Sequence, residues 1–146
     1  MGLKVELKPG ERLILGDCLI TNGDQRARLL VQGQVPILRE KEIMTAEQAG
    51  TPAKRIYFAV QLMYTARDPR AHHDEYFKLT REFVQAVPSA WPHVEAIGNN
   101  IITGSMYKAL KCAKALMAYE KDLLDHASRS PGLRQDLKAD GQPAGA

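Results

Sequence analysis

The first fifty residues carry short apolar segments separated by turn-forming residues. Residues 3–7 alternate apolar and charged side chains, which is the period of a half-buried strand. Further short apolar segments follow, and Gly, Pro, Asn or Asp separates most of them, as expected for tight turns. The Asn22-Gly23 pair is typical of a hairpin and predicts one between the third and fourth strands. The five predicted strands cover residues 3–7, 12–15, 18–20, 26–32 and 36–38.

The spacing changes to that of helices after residue 50. The first predicted helix, which follows Thr51-Pro52, is apolar on nearly every side, as a central helix would be. Three more amphipathic segments follow, ending near residues 87, 102 and 126. Each is preceded by a residue that favours the start of a helix. The predicted caps of the four helices are Thr51, Asp68, Ser89 and Ser105.

These patterns together predict an α+β fold. A small N-terminal antiparallel β-roll or barrel, residues 1–50, precedes an all-helical C-terminal half of about four helices, residues 51–126. Residues 127–146 lose periodicity and are rich in Gly, Pro and Ser, which predicts a disordered tail. About fifty residues bury little surface alone, so the β-module must pack on the helices or on a second copy.

Composition narrows the classes of function. The 146 residues are 45% hydrophobic and 25% charged, as in ordinary globular proteins. No apolar run is long enough for a membrane span, and the N-terminus lacks a secretory signal, so we expect a cytoplasmic protein. The net charge of +3 permits nucleic-acid binding but does not require it. Any RNA contact should therefore depend on a local site.

The chemistry-bearing residues do not form an enzyme motif. Cys18 and Cys112 have no disulfide-type spacing and are expected to be buried thiols. The adjacent His72 and His73 point in different directions on a helix, so no metal site is predicted. No phosphate loop, nucleophile elbow or ligand cluster is present. We therefore expect no catalysis and no cofactor.

Part of the N-terminal pattern resembles the family of the carbon storage regulator CsrA. The segments that carry the resemblance are Gly10-Glu11, Gly16-Asp17 and Leu38-Arg39-Glu40. That family forms strand-exchanged dimers that bind messenger RNA through the first strand and an arginine after the last strand. The resemblance implies RNA contacts at Lys4, Lys8 and Arg39. Apart from the resemblance, Arg12, Arg26 and Arg28 are secondary candidates for RNA contacts.

Arg39 also has a simpler interpretation. It lies beside Glu40 and close to Glu42, so it can form a surface ion pair instead of contacting RNA. The last helix leaves a similar choice, because its lysines form either a phosphate-contacting stripe or a solvated face. These lysines are Lys108, Lys111, Lys114 and Lys121.

Over residues 3 to 125 the chain resembles the FlbT family of flagellar biosynthesis repressors. Several segments at matching spacing carry the resemblance: residues 6–12, 20–24, 37–41, 51–52, 55–63 and 107–110. It implies a post-transcriptional regulator that binds the 5′ untranslated region of flagellin messenger RNA and promotes its degradation or represses its translation. It also implies FlaF as a partner, and the small β-module favours a homodimer.

An adaptor is the alternative function. In that case the helical half binds flagellin or FlaF, and the effect on messenger RNA is indirect. The apolar face near Tyr76, Phe83 and Trp91 would be the docking surface.

Overall fold

A computed structural model describes residues 2–129. The α+β prediction is confirmed: antiparallel strands form two small sheets, and four α-helices follow. The strands are β1 (Gly2–Leu7), β2 (Arg12–Leu15), β3 (Cys18–Thr21), β4 (Ala27–Gln32) and β5 (Ile37–Arg39). The helices are α1 (Pro52–Thr65), α2 (His73–Ala86), α3 (Trp91–Ile102) and α4 (Met106–Arg129).

The strands do not pair as the Asn22-Gly23 sequence predicted. One sheet has the order β1-β4 and the other β3-β2-β5, so β3 and β4 lie in different sheets and the predicted hairpin is wrong. The Asn22 side-chain amide donates to the carbonyl oxygens of Leu7 and Lys8, at 3.2 and 2.8 Å. Asn22 thus ties the connection to the end of β1, and the apolar faces of the strands decide the pairing.

The strands of the β-module contribute side chains to two clusters of buried apolar residues. The smaller one consists of Val5, Leu7 and Leu13, all buried, and therefore joins β1 to β2. Leu38 on β5 belongs instead to the large core of the helical half, and Ile14 packs against that core. The β-module thus packs on the helices, which was one of the two expected ways of burying its surface.

Helix α1 is the centre of the helical half, as its sequence predicted. Ile56 and Val60 are fully buried, and Met63 is 1% exposed. Thr51 caps the helix by accepting from the backbone N–H of Lys54 at 3.3 Å, which confirms the predicted start. Helix α1 packs against both α2 and α4.

A buried carboxylate from α4 strengthens the start of α1. Glu120 accepts from the Thr51 hydroxyl at 2.5 Å and from the backbone N–H of Ala53 at 3.0 Å. A carboxylate at a helix N-terminus is favourable because the free N–H groups and the helix dipole both attract negative charge. This contact fixes α4 against α1 across 69 positions of sequence.

The predicted cap of α3 is wrong. Ser89 lies in a 3-10 turn, Pro88–Ala90, and α3 begins at Trp91 with Ala90 in the capping position and no side-chain cap. The Ser89 hydroxyl is hydrogen-bonded to the hydroxyl of Tyr119 on α4. Because α4 packs beside this turn, the Ser89 hydroxyl contacts α4 instead of capping α3 as the sequence predicted.

The expected burial of both thiols is also wrong. Cys18 is exposed at the start of β3, and Cys112 on α4 is half-buried. Helix α4 runs to Arg129, about three residues beyond its predicted end, and residues 130–146 of the predicted tail lie outside the described residues. Within residues 2–129, no helix combines the length and apolarity that crossing a membrane requires.

Candidate nucleic-acid interface

Two of the predicted RNA contacts, Lys8 and Arg39, line the same groove. We call it the strand-end groove, with a cavity volume of about 550 Å³. The Pro9-Gly10 turn forms one side, and the residues after β5 form the other. Its lining residues are Lys8, Pro9, Gly10, Glu11, Arg39, Glu40 and Lys41.

Strand register and turn geometry bring Lys8 and Arg39 together. Arg39 is opposite Leu13 in the β2–β5 pair, so it lies next to the strand that follows the Lys8 turn. Gly10 has φ +74°, a conformation that L side chains rarely adopt, and its N–H donates to the carbonyl of Gly23 at 2.9 Å. This bond holds the turn closed beside the groove.

The cations of the strand-end groove are not paired. No carboxylate of residues 2–129 lies within 4.0 Å of the charged groups of Lys8 or Arg39, so the ion pair considered for Arg39 does not form there. The backbone N–H of Arg39 donates to Glu42 Oε1 at 3.1 Å instead. The guanidinium is exposed and remains available to an anion.

Arg12 has a different role beside this groove. Its backbone N–H donates to Glu40 Oε1 at 2.6 Å, and its side-chain Nε lies 3.5 Å from the same oxygen. Arg12 therefore neutralises the carboxylate next to Arg39. It supports the groove but is less free to bind a ligand than Lys8 or Arg39.

Lys4 and Arg28 line a separate concavity on the β1–β4 sheet. Glu6 pairs with two arginines, because its Oε2 lies 3.8 Å from Arg28 Nε and 3.9 Å from Arg26 Nη1. These exposed pairs contribute little stability, but they reduce the positive charge of this face. The six predicted residues therefore divide between two surfaces.

A second groove was not predicted from the sequence. We call it the helix-side groove, with a cavity volume of about 390 Å³. It lies where the segment after β5 meets α1 and α4. Its lining residues are Lys41, Glu42, Ile43, Met44, Gln48, Lys54, Tyr57, Lys114 and Met117. Lys41 could have been found from its place two residues after Arg39, but only the packing of the helices brings Lys54 and Lys114 together.

Two tyrosines fix the segment between the grooves. Tyr57 donates its hydroxyl hydrogen to the Glu42 carbonyl, and Tyr107 donates to Glu42 Oε2, both at 2.6 Å. The hydrogen bond to the carboxylate raises the pKa of Tyr107 to about 12. Burial raises the pKa of Tyr57 to about 12. Both hydroxyls therefore remain protonated donors at neutral pH.

The expected docking surface of the adaptor needs correction. Tyr76 and Phe83 are 3% and 5% exposed, so they belong to the core and cannot receive a partner. Phe77 and Trp91 are 55% and 52% exposed and line an apolar groove between α2 and α3. The periodicity of the sequence predicted the apolar face of this helix correctly. It could not distinguish the buried residues of that face from the exposed ones beside them.

The described residues show no cluster of three or more His, Cys, Asp or Glu side chains that could hold a metal ion.

Comparisons with known proteins agree on one family. The family described as "Flagellar protein FlbT" matches residues 3–124. A protein of Bradyrhizobium diazoefficiens named "Probable flagellum biosynthesis repressor protein FlbT 1" is 60% identical over 84% of this chain and 85% of its own length. A "Probable flagellum biosynthesis repressor protein FlbT" of Rhodopseudomonas palustris is 48% identical over 85% and 98% of the two chains. The "Flagellum biosynthesis repressor protein FlbT" of Caulobacter vibrioides is 37% identical over 88% and 93%. No solved structure matches the chain.

Proposed function

Because this chain belongs to the FlbT family of flagellar proteins, we propose that it is a post-transcriptional regulator of flagellum biogenesis. It binds the 5′ untranslated region of flagellin messenger RNA in the cytoplasm and promotes degradation of the message or represses its translation. It acts by binding and has no enzymatic activity. The names of its relatives support a role in controlling flagellum biosynthesis.

The observation that carries the RNA-binding proposal is that Lys8 and Arg39 line the same groove, the strand-end groove. An arginine suits RNA because its planar guanidinium can form bidentate hydrogen bonds and stack on an unpaired base. A lysine beside it can contact the phosphates and so fix the register of the strand. Neither cation forms an ion pair with a carboxylate of the described residues, so RNA can bind without breaking an ion pair.

The proposed mechanism is that the protein occupies the leader, which is the 5′ untranslated region of the message. A protein bound near the start of the message excludes ribosomes, and a message without ribosomes is open to nucleases. The β1–β4 face, with Lys4, Arg26 and Arg28, adds phosphate contacts at longer range. Its contribution is weaker than that of the groove because Glu6 offsets part of its charge.

The test measures binding of a labelled flagellin leader RNA to purified protein by fluorescence anisotropy. Arg39→Ala should lower the affinity about 5- to 150-fold, since one well-placed bidentate arginine contributes about 1–3 kcal/mol. Arg81→Ala, which removes an exposed arginine from α2, is the matched control and should leave the affinity unchanged. Equal affinity of wild type and Arg39→Ala would contradict the site, and no salt-dependent binding by wild type would contradict the function.

The adaptor is the second candidate, favoured by the exposed Phe77 and Trp91 in the α2–α3 groove. An amphipathic helix from FlaF or flagellin fits such a groove through its apolar face. Titration with purified FlaF or flagellin should change the fluorescence of Trp91, the single tryptophan. Phe77→Ser should weaken that binding without affecting RNA affinity. Binding that is insensitive to Phe77→Ser would exclude this groove.

A homodimer fits the exposed apolar residues of the sheets. Leu3, Leu19 and Leu30 are 42%, 58% and 60% exposed, and a second copy would cover them. Light scattering should give a dimer mass for wild type, and Leu30→Glu should shift the protein toward monomer. A monomer at every concentration would contradict the homodimer.

A further inference from the structure

Lys41 borders both the strand-end groove and the helix-side groove. The two concavities therefore adjoin each other at one exposed side chain. One of them belongs to the end of the β-module, and the other to the junction with α1 and α4. A ligand that extends from the first groove past Lys41 reaches the second.

The helix-side groove is bordered by lysines from three different elements. Lys41 comes from the segment after β5, Lys54 from α1 and Lys114 from α4. All three are exposed, and none lies within 4.0 Å of a carboxylate in the described part of the chain. Elsewhere on α4 an exposed lysine is paired, since Lys121 Nζ lies 3.0 Å from Asp125 Oδ2.

The carboxylates along both grooves are occupied by donors. Glu40 binds Arg12, Glu42 binds the Tyr107 hydroxyl, and Glu11 accepts from the backbone N–H of Lys8 at 2.8 Å. Their charges are therefore partly compensated by fixed donors, while the lysine ammonium groups remain unpaired. The resulting field favours an extended anion over a single small one.

The helix-side groove also has an apolar side, formed by Ile43, Met44 and Met117, all half-buried. A single-stranded RNA presents phosphates on one edge and unstacked bases on the other. Lysines from three elements suit its phosphates, and the apolar residues suit the faces of its bases. A peptide of acidic residues alone would use the lysines but would leave the apolar side uncovered.

We infer that Lys41, Lys54 and Lys114 form a second binding site for the same RNA strand, continuous with the Arg39 site through Lys41. This inference rests on the proposed RNA-binding function and extends it into the helical half. The β-module fixes one portion of the leader, and the helices hold the portion next to it.

The test compares wild type with Lys54→Gln/Lys114→Gln, using leader RNA fragments of decreasing length. The control is Lys78→Gln/Arg81→Gln, which removes two exposed charges from α2. Each lost phosphate contact lowers the slope of log affinity against log salt by about 0.7, which is roughly fivefold in affinity per contact near 0.1 M salt. The double variant should therefore lose roughly 25-fold on long fragments, with a slope lower by about 1.4. Unfolding curves should match, because glutamine and lysine have similar helix propensities.

Fragment length separates the two sites. On fragments that fill only the strand-end groove, the double variant should bind as wild type does, whereas Arg39→Ala should weaken binding at every length. If Arg39→Ala weakens binding and the lysine variant equals its control at every length, the second site is wrong and the proposed function stands. If wild type binds no fragment, the proposed function itself fails. If an acidic peptide of equal charge displaces long RNA as well as RNA does, the site is not one for RNA.

Discussion

Tyr107 on α4 donates its hydroxyl hydrogen to Glu42 Oε2 at 2.6 Å, across 65 positions of sequence. The bond joins the longest helix to the segment that follows the last strand. Arg39 ends the last strand and Lys41 directly precedes Glu42, so the hydrogen bond positions the point at which the two grooves meet. Lys111 lies over the same ring, with its Nζ 5.2 Å from the ring centroid, which adds a cation–π contact.

Tyr107→Phe removes this hydrogen bond and keeps the ring. We expect the free energy of unfolding to fall by about 1 kcal/mol, since the bond is partly exposed to water. Urea denaturation at pH 7 measures the change. Tyr76→Phe is the control, because the Tyr76 hydroxyl has no hydrogen-bond partner among the described residues. Equal losses for the two variants would show that the Glu42 contact adds nothing.

Tyr107 also makes the free energy of unfolding depend on pH in the alkaline range. Its pKa in the folded state is about 12 against an ordinary 10.0, so folding favours the protonated hydroxyl. The stabilisation is fully present below pH 10 and is lost as the pH rises toward 12. Tyr57 and Tyr76 act in the same direction. Unfolding measured across this range should therefore show a shallower decline in Tyr107→Phe than in wild type, and parallel curves would refute the assignment.

Glu120→Ala should destabilise the helical half by about 2 kcal/mol. The variant loses the bonds from the Thr51 hydroxyl and the Ala53 N–H, which leaves donors at the start of α1 unpaired. Asp125→Ala is the control on the same helix, because its exposed pair with Lys121 contributes less than about 0.5 kcal/mol. Thermal unfolding of the two variants distinguishes them, and a similar shift in both would contradict a capping role for Glu120.

Gln61→Leu should loosen the segment that lines the helix-side groove. The buried Gln61 side chain accepts from the Met44 N–H at 2.8 Å and donates to the Met44 carbonyl at 2.9 Å. Leucine fills similar space but leaves both backbone groups unpaired, at a cost of about 2 kcal/mol. Hydrogen exchange at the Met44 amide should accelerate. The exposed Gln85→Leu serves as the control, and unchanged exchange at Met44 would rule out this anchoring.

The two cysteines should react at different rates. Cys18 is exposed, whereas Cys112 is half-buried and its Sγ accepts from Asn100 Nδ2 at 3.5 Å. In native protein, Ellman's reagent should modify Cys18 first, and Cys18→Ser should abolish the fast phase. Cys112→Ser should retain it. A fast phase that survives in Cys18→Ser would contradict the placement of this strand.

The sequence predicted most elements because their signals are local. Thr51-Pro52 begins α1 as expected, and short apolar segments bounded by turn residues placed β1 to β5 within about one residue at each end. Two of the errors occurred where distant groups compete. Asn22 was assigned to a hairpin but binds the end of β1, and Ser89 was assigned to a cap but faces Tyr119.

The sequence by itself determined the α+β class, the central place of α1 and the residue types that suit RNA. Periodicity and turn chemistry act over a few residues, and these features depend on nothing more. Only the tertiary structure decided that Lys8 adjoins Arg39, that Lys54 and Lys114 border one groove, and that Tyr107 fixes Glu42. Their positions depend on how apolar faces pack between elements far apart in the chain, and no local pattern encodes that packing.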